Sequence, residues 1–388
     1  MTHTLSDRSK NIGSASSIQQ NELVYKKIRE GKNPIILSYG EAPFRVPEIK
    51  LDTKYWDSGC HYTDGLGHPL FRKEIAEYEA TVHSATVDPE KNILVSAGSK
   101  VISYFISLAY LNPGDRIVLH EPSWVSYQEH ARLCGAETLF VGLDEGLEGV
   151  KREIRSDPKV KIVYLNNPNN PRGHVYQEIE LLDLARFCQS RDVILAVDES
   201  YSDFVISEKF FSCSKLINDY RPVIVFNSMS KNFGLSGWRL GYCVAHQDTI
   251  AILNKFNQHL ITCAPTCLQL ALVGKLASMN KIIRPQIEAL NNKRIEVCNL
   301  LDSFRFKFLT GSSTFYIFID ISKKISDTKP FVLDLLEKDN VSLIPGGAYG
   351  KSTAGFLRLS FAVEPIERIK EGLNLLALRL NENNEKRI

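Results

Sequence analysis

The chain has 388 residues, 44% of them hydrophobic and 24% charged, an ordinary globular composition long enough for two domains with separate cores. A formal net charge of +2 gives no bulk electrostatic case for nucleic acid or a membrane surface. No apolar run reaches the roughly 18 residues of a spanning helix, and the polar first residues lack the apolar segment of a secretory signal.

In chain order, residues 1–20 are rich in Ser, Thr and Asn and read as a flexible arm. A short helix over 21–30 is stopped by Gly31, and a brief strand over 35–38 leads into Tyr39-Gly40-Glu41-Ala42-Pro43-Phe44. Residues 61–72 form a loop in which Pro69 suits the first turn of a helix running to about 83. Gly65 and Gly67 do not make a dinucleotide fingerprint, because the third glycine and the preceding strand are absent. A strand over 92–97 precedes Gly98-Ser99-Lys100, which opens a helix through 110. Small residues there leave backbone N–H groups free for an anion, helped by the helix dipole. The next strand, 116–120, runs into Glu121-Pro122-Ser123-Trp124-Val125-Ser126-Tyr127. An aromatic at a strand's carboxyl end, here Trp124, can stack on a flat heteroaromatic ring.

A helix over 127–134 and a strand over 137–141 continue the alternation. The apolar strand 160–165 is broken by Asn166-Asn167-Pro168-Asn169-Asn170-Pro171-Arg172-Gly173, a fixed turn from which Asn170 can aim its amide into a crevice. The helix 177–190 places Leu181, Leu184, Ala185 and Cys188 on one face. The apolar strand 193–197 ends in Asp198-Glu199-Ser200-Tyr201. A carboxylate at the end of a buried strand is costly unless it meets a cation, and a protonated ring nitrogen is one.

Strand 223–226 is followed by Ser-Met-Ser-Lys-Asn-Phe-Gly-Leu-Ser-Gly-Trp-Arg-Leu-Gly over 228–241. This puts Lys231 just past a strand's carboxyl end, where open α/β sheets bind ligands. A poorly solvated lysine there deprotonates readily and attacks carbonyls. Eight positions on, Arg239 offers a fork for a phosphate. A strand over 241–245, a long helical stretch over 265–304, a strand over 313–321, a loop over 344–350, a strand over 356–361 and an amphipathic helix over 365–380 complete the chain. Arg358 sits in that last apolar strand and wants a carboxylate. The alternation alone establishes an α/β protein. Eight scattered cysteines suit reduced thiols in a cytoplasmic protein, and Cys263 and Cys267 have no second pair to make a metal site.

The Lys231 segment, together with Tyr62-x-x-x-x-Gly67, Pro122-x-Trp124-x-x-Tyr127, Asn167-Pro168-Asn169-Asn170-Pro171, Asp198-Glu199-x-Tyr201 and Arg358, resembles class I pyridoxal-phosphate-dependent aminotransferases of fold type I, over about 35–380. The resemblance implies a three-layer, mostly parallel sheet domain over 48–275. It also implies a smaller α+β domain built from 276–388 plus the segment 21–47.

Pyridoxal 5′-phosphate is then the cofactor, held as an aldimine on Lys231, with Asp198 on its ring nitrogen, Asn170 and Tyr201 on its phenolic oxygen and Trp124 over its ring. Ser99, Lys100, Ser228 and Arg239 take its phosphate, joined by Tyr62 from the partner subunit of a homodimer. Gly40 and Arg358 take the substrate carboxylate. Two departures stand out: Ala42-Pro43 shifts the family's proline by one, and Arg172 replaces its Thr or Ser.

The expected reaction is amino transfer between an L-amino acid and a 2-oxo acid through pyridoxamine phosphate, within amino-acid metabolism. A carbon–sulfur β-lyase and a cofactor-binding regulator are alternatives, although no basic recognition helix precedes residue 35. Arg45, Lys100 and Arg172 are the candidate second cations for an acidic substrate.

Overall fold

The computed structural model describes residues 5–206 and 210–385. Its strands, in chain order, are β1 (Ile35–Ile36), β2 (Ile93–Ser96), β3 (Arg116–His120), β4 (Glu137–Val141), β5 (Val160–Asn166), β6 (Ile194–Asp198), β7 (Val223–Ser228), β8 (Gly241–Ala245), β9 (Lys307–Leu309), β10 (Tyr316–Asp320), β11 (Val341–Ser342), β12 (Ile344–Pro345) and β13 (Phe356–Ser360). Seven form a sheet of order β2-β8-β7-β6-β5-β3-β4. The pairs from β7 through to β4 are parallel, while β8 runs antiparallel to both its neighbours. The central strands are apolar on both faces, as a sheet covered on both sides requires.

The period of two decides which helices each side chain meets. Val163, Leu165, Leu195, Val197, Val223 and Val225 point into one core. That core also takes Leu181, Leu184, Ala185 and Cys188, the face expected of the helix Glu178–Ser190. Ile162, Tyr164, Ala196, Ile224 and Phe226 point the other way, onto the helices Ser99–Tyr110, Val125–Leu133 and Gln247–Leu260. Burying each large aliphatic contributes roughly 1.5–3 kcal/mol, so the two cores fix the sheet between its helical layers.

A second sheet, of order β12-β13-β10-β9, is antiparallel throughout, and β1 pairs in parallel with β11. Its core includes Tyr201 and Phe204 from the end of β6, so the two sheets meet at that strand's carboxyl end. The long helix Leu276–Ser303 follows the seven-stranded sheet and precedes the four-stranded one.

The helix expected over 21–30 starts earlier, since it runs from Ser16 to Arg29, and a short helix, Asp7–Asn11, precedes it. Ser6 accepts from the amide of Ser9 as an N-cap. Polar composition concealed the first turn of the longer helix, 16–20, in which only Gln20 is buried. Helices over Gly146–Ser156, Gln247–Leu260 and Lys329–Asp339 also appear where the sequence reading named none.

Candidate active site

Parallel strands deliver their last residues to one edge of the sheet. Here β3, β5, β6 and β7 end beside one another; Trp124, Asn170 and Lys231 follow β3, β5 and β7, and Asp198 is the last residue of β6. The antiparallel β8 begins at that same edge, since Gly241 pairs with both Ser96 and Ser228. Arg239, two residues before it, therefore reaches the same place. A cavity of about 290 Å³ opens there. Every site residue expected from the sequence lines it except Tyr62, whose side chain is 84% exposed.

Lys231 belongs to the short helix Met229–Asn232, which Ser228 caps by accepting from the amide of Ser230. The next residue, Asn232, anchors the turn by donating to Ser202 Oγ at 2.9 Å and to Asn227 Oδ1 at 3.2 Å. Lys231 Nζ donates to the carbonyl of Gly40. Loss of solvent lowers its pKa to about 8, with Arg358, Arg239 and Lys100 pushing the same way and Glu41 opposing. A large neutral fraction near physiological pH is what a carbonyl-trapping amine needs.

Asp198, the last residue of β6, is 6% exposed. Its Oδ2 accepts from Tyr127 Oη at 2.7 Å and its Oδ1 from the amide of Ser200 at 3.0 Å. Burial raises its pKa, while those two donors and the charge of Lys231 oppose the rise. A buried carboxylate without a full cation partner suits a ligand that brings one. Asn170 is set by Asn166, whose Oδ1 takes the Asn170 amide at 2.7 Å while its Nδ2 donates to the carbonyl of Asp198 at 3.0 Å. The Asn170 side chain faces Tyr201 Oη at 3.5 Å, and its Oδ1 is buried without a partner.

The helix Ser99–Tyr110 opens at the cavity after Gly98, whose φ of +93° suits glycine and whose position has no side-chain cap. A Cβ there would lie 2.7 Å from Arg239 Nη2, so glycine lets the guanidinium approach the helix N-terminus. Arg239 is held by the carbonyl of Ser236 at 2.7 Å and by Ser230 Oγ at 3.4 Å. Free amides, Ser228, Ser230 and a guanidinium make an anion cradle.

Arg358, on β13, is 3% exposed. Among the described residues it makes no ion pair. Its Nη2 donates to the carbonyl of Ser38 at 2.5 Å, and its Nε is buried without a partner. The guanidinium stacks 4.4 Å from the Tyr316 ring and 5.7 Å from the Tyr349 ring. An unpaired buried cation lining a cavity is poised for an incoming carboxylate.

Sequence reasoning passed over Tyr127, although it closes the quoted Pro122-x-Trp124-x-x-Tyr127 motif. It stacks on Tyr164 at 4.8 Å and 3°, which aims its hydroxyl at Asp198. Tyr316, Ser230, Ser200 and Glu41 were also missed, as were Ser17, Ile18, Asn21 and Tyr25 of the helix Ser16–Arg29. The Ser-x-Ser-Lys spacing held a signal for Ser230. Nothing local placed the N-terminal helix at the cavity, because only tertiary packing carries it there. Of the three candidate cations for a substrate side chain, Lys100 lines the cavity, with Nζ 5.2 Å from the Trp124 ring. Arg45 and Arg172 do not line it.

These groups fit pyridoxal 5′-phosphate: an amine for its aldehyde, an acid for its ring nitrogen, Asn170 with an unmet buried polar atom, and a cradle for its phosphate. The family profile described as "Aminotransferase class I and II" matches residues 35–376. An aspartate aminotransferase of Thermotoga maritima is 29% identical over 363 residues, 91% of this chain and 93% of that one. The structure of an aspartate aminotransferase from Thermus thermophilus with maleate superposes with a TM-score of 0.88 at 27% identity, covering 98% of this chain and 100% of that one. An aromatic aminotransferase from Pyrococcus horikoshii superposes with a TM-score of 0.82 at 25% identity, covering 93% and 99%. With a buried amine opposite a buried acid and a family match spanning both sheets, this chain belongs to the class I and II aminotransferases and is a pyridoxal-phosphate-dependent enzyme of that family.

Proposed function

We propose that the enzyme moves the amino group of a dicarboxylic L-amino acid onto a 2-oxo acid, with the residues placed above in the following roles. The observation that carries the reading is one cavity lined by Lys231, Asp198 and Arg358, with Lys100 as a second cation within it. Bound pyridoxal 5′-phosphate supplies an aldehyde carbon and an electron-withdrawing ring.

Lys231 Nζ, in its neutral form, would hold the group through that aldehyde. Lys231 Nζ would also serve as the general base that takes the substrate's α-proton. Asp198 holds the proton of the ring nitrogen, and Tyr127 and Ser200 keep its carboxylate oriented. Asn170 and Tyr201 would hold the phenolic oxygen, and Trp124 would lie against the ring. The amides of Ser99 and Lys100, with Ser228 and Arg239, bind the phosphate. Arg358 and the backbone of Gly40 orient the α-carboxylate.

Lys100 uses its backbone for the phosphate, which leaves its ammonium for a side-chain carboxylate. The aspartate aminotransferases among the relatives support this choice. The exposed Tyr62 completes the phosphate site of a second subunit, so the active unit is a homodimer. We place the small domain over 21–47 and 276–388 and the large one over 48–275, supported by the β1–β11 pair and by Lys27 donating to Asn340 Oδ1 at 3.2 Å. The setting is cytoplasmic amino-acid metabolism, probed by fractionation of the native host.

The test is a donor screen with 2-oxoglutarate and pyruvate, following pyridoxamine phosphate. Aspartate or glutamate leads, and Lys100→Ala raises KM for them but not for an aromatic donor. Aromatic donors leading, with Lys100→Ala silent, refutes the substrate class. Pyruvate and ammonia released from a cysteine conjugate without an acceptor marks a β-lyase instead.

A further inference from the structure

The geometry points to Tyr316 as a positioning residue that couples the carboxylate-binding Arg358 to the phenolic-oxygen partner Tyr201. This rests on the cofactor reading above and deepens it. Tyr316 opens β10, and β10 pairs with β13 so that Tyr316 faces Ser360 and Phe318 faces Arg358. Tyr316 and Arg358 are thus diagonal neighbours across the ladder, close enough for a ring to meet a long side chain. The ring lies 4.4 Å from the guanidinium carbon. Its hydroxyl shares a 2.9 Å hydrogen bond with the hydroxyl of Tyr201. Tyr201 lies three residues past the end of β6, so this contact ties β10 of the smaller sheet to the carboxyl end of a strand of the larger one.

The contacts are buried and tightly set. Tyr316 is 1% exposed and Tyr201 5%. Their rings meet edge-on at 5.9 Å. A Cβ on Gly40 would stand 3.3 Å from Tyr316 Oη and 4.0 Å from Arg358 Nη2, so the loop that carries Gly40 closes over both groups. Tyr201 Oη faces Asn170 Nδ2 at 3.5 Å, which extends the chain of groups to the other residue assigned to the phenolic oxygen.

The direction of the effect follows from the order of donors. Tyr201 uses its own proton toward the phenolic oxygen, so within the pair Tyr316 is the donor. A donor behind Tyr201 polarises its O–H and strengthens the bond it gives. That bond favours the phenolic oxygen when its negative charge is uncompensated, which is the state after the neighbouring nitrogen has lost its proton. Tyr316 therefore lowers the pH at which the bound cofactor changes colour. The same ring sits against Arg358, so a carboxylate arriving there acts on a group already bonded to Tyr201.

Tyr316→Phe keeps the ring beneath Arg358 and deletes only the hydroxyl. In the holoenzyme, titrated by visible absorbance, it raises the spectral midpoint by about half a pH unit, a roughly threefold change in the acid dissociation constant. KM for the amino acid stays within about threefold while kcat falls, whereas Tyr316→Leu, which also removes the ring, raises KM as well. Because Tyr316 acts through Tyr201, the Tyr201→Phe/Tyr316→Phe double variant has the midpoint of Tyr201→Phe alone. An unmoved midpoint in Tyr316→Phe, or additive shifts in the double variant, overturns the coupling. A wild-type protein with no cofactor absorbance overturns the reading beneath it, and the two failures are told apart by that first spectrum.

Discussion

Arg358→Gln separates a substrate-binding arginine from a structural one. In the free protein the guanidinium is 3% exposed and, among the described residues, has no carboxylate. Its removal therefore leaves no buried anion stranded. Loss of the Tyr316 and Tyr349 stacking is offset by relief of a desolvated charge, so stability changes by no more than about 1 kcal/mol. The bound substrate is different, because its α-carboxylate then lies buried without its partner. Breaking such a pair costs about 2–5 kcal/mol, or roughly 30- to 4,000-fold in kcat/KM at about 1.4 kcal/mol per tenfold. The assay compares the amino acid with the amine that lacks the α-carboxyl group, alongside thermal unfolding. The amino acid loses that factor, the amine loses almost nothing, and Arg358→Lys falls between because it keeps charge without the fork. Equal losses on both substrates, or a variant that no longer folds, refutes the assignment.

The amine of Lys231, with a pKa of about 8, makes cofactor uptake by the apoenzyme pH-dependent. The observed rate rises about tenfold per pH unit well below 8 and flattens above it, because only the neutral amine attacks; a flat profile from pH 6 to 9 in stopped-flow absorbance contradicts this. Tyr127→Phe removes the 2.7 Å donor to Asp198 and lowers kcat about tenfold with KM little changed, read by steady-state kinetics. Burial holds Glu79 protonated up to about pH 7, against an ordinary value of 4.5. The folded state then binds more protons than the unfolded one across that window, so this group's contribution is fully present below about 4.5 and is lost as pH rises to about 7. Glu79→Gln matches wild type in melting temperature at about pH 4 and exceeds it at about pH 9; parallel melting profiles show that Glu79 does not titrate in that range.

Most of the large sheet was legible because its strands are short apolar runs between turn residues. The runs 116–120, 137–141 and 241–245 coincide with the observed strands. The cavity lining was legible where it lies at or just past a strand end, as at Asp198, Asn170 and Lys231. What escaped depends on contacts distant in sequence. Tyr316 reads as one more aromatic in a strand until β10 meets Tyr201, 115 positions away. Ile18 reads as part of a polar arm, and Asn21 as the start of an ordinary short helix, until tertiary packing brings both to the cavity. The strand expected over 313–321 shortens to Tyr316–Asp320, since Thr314 has a positive φ of 64° and turns the chain into it. Tyr62 has no partner group within this chain's own cavity, and its proposed role lies in a second copy.

Borohydride reduction of the holoenzyme, followed by peptide mass mapping, tests the central claim most directly. The account predicts one phosphopyridoxyl group per chain, on Lys231, with loss of activity in proportion to labelling. A label on another lysine, or none on a coloured enzyme, contradicts it.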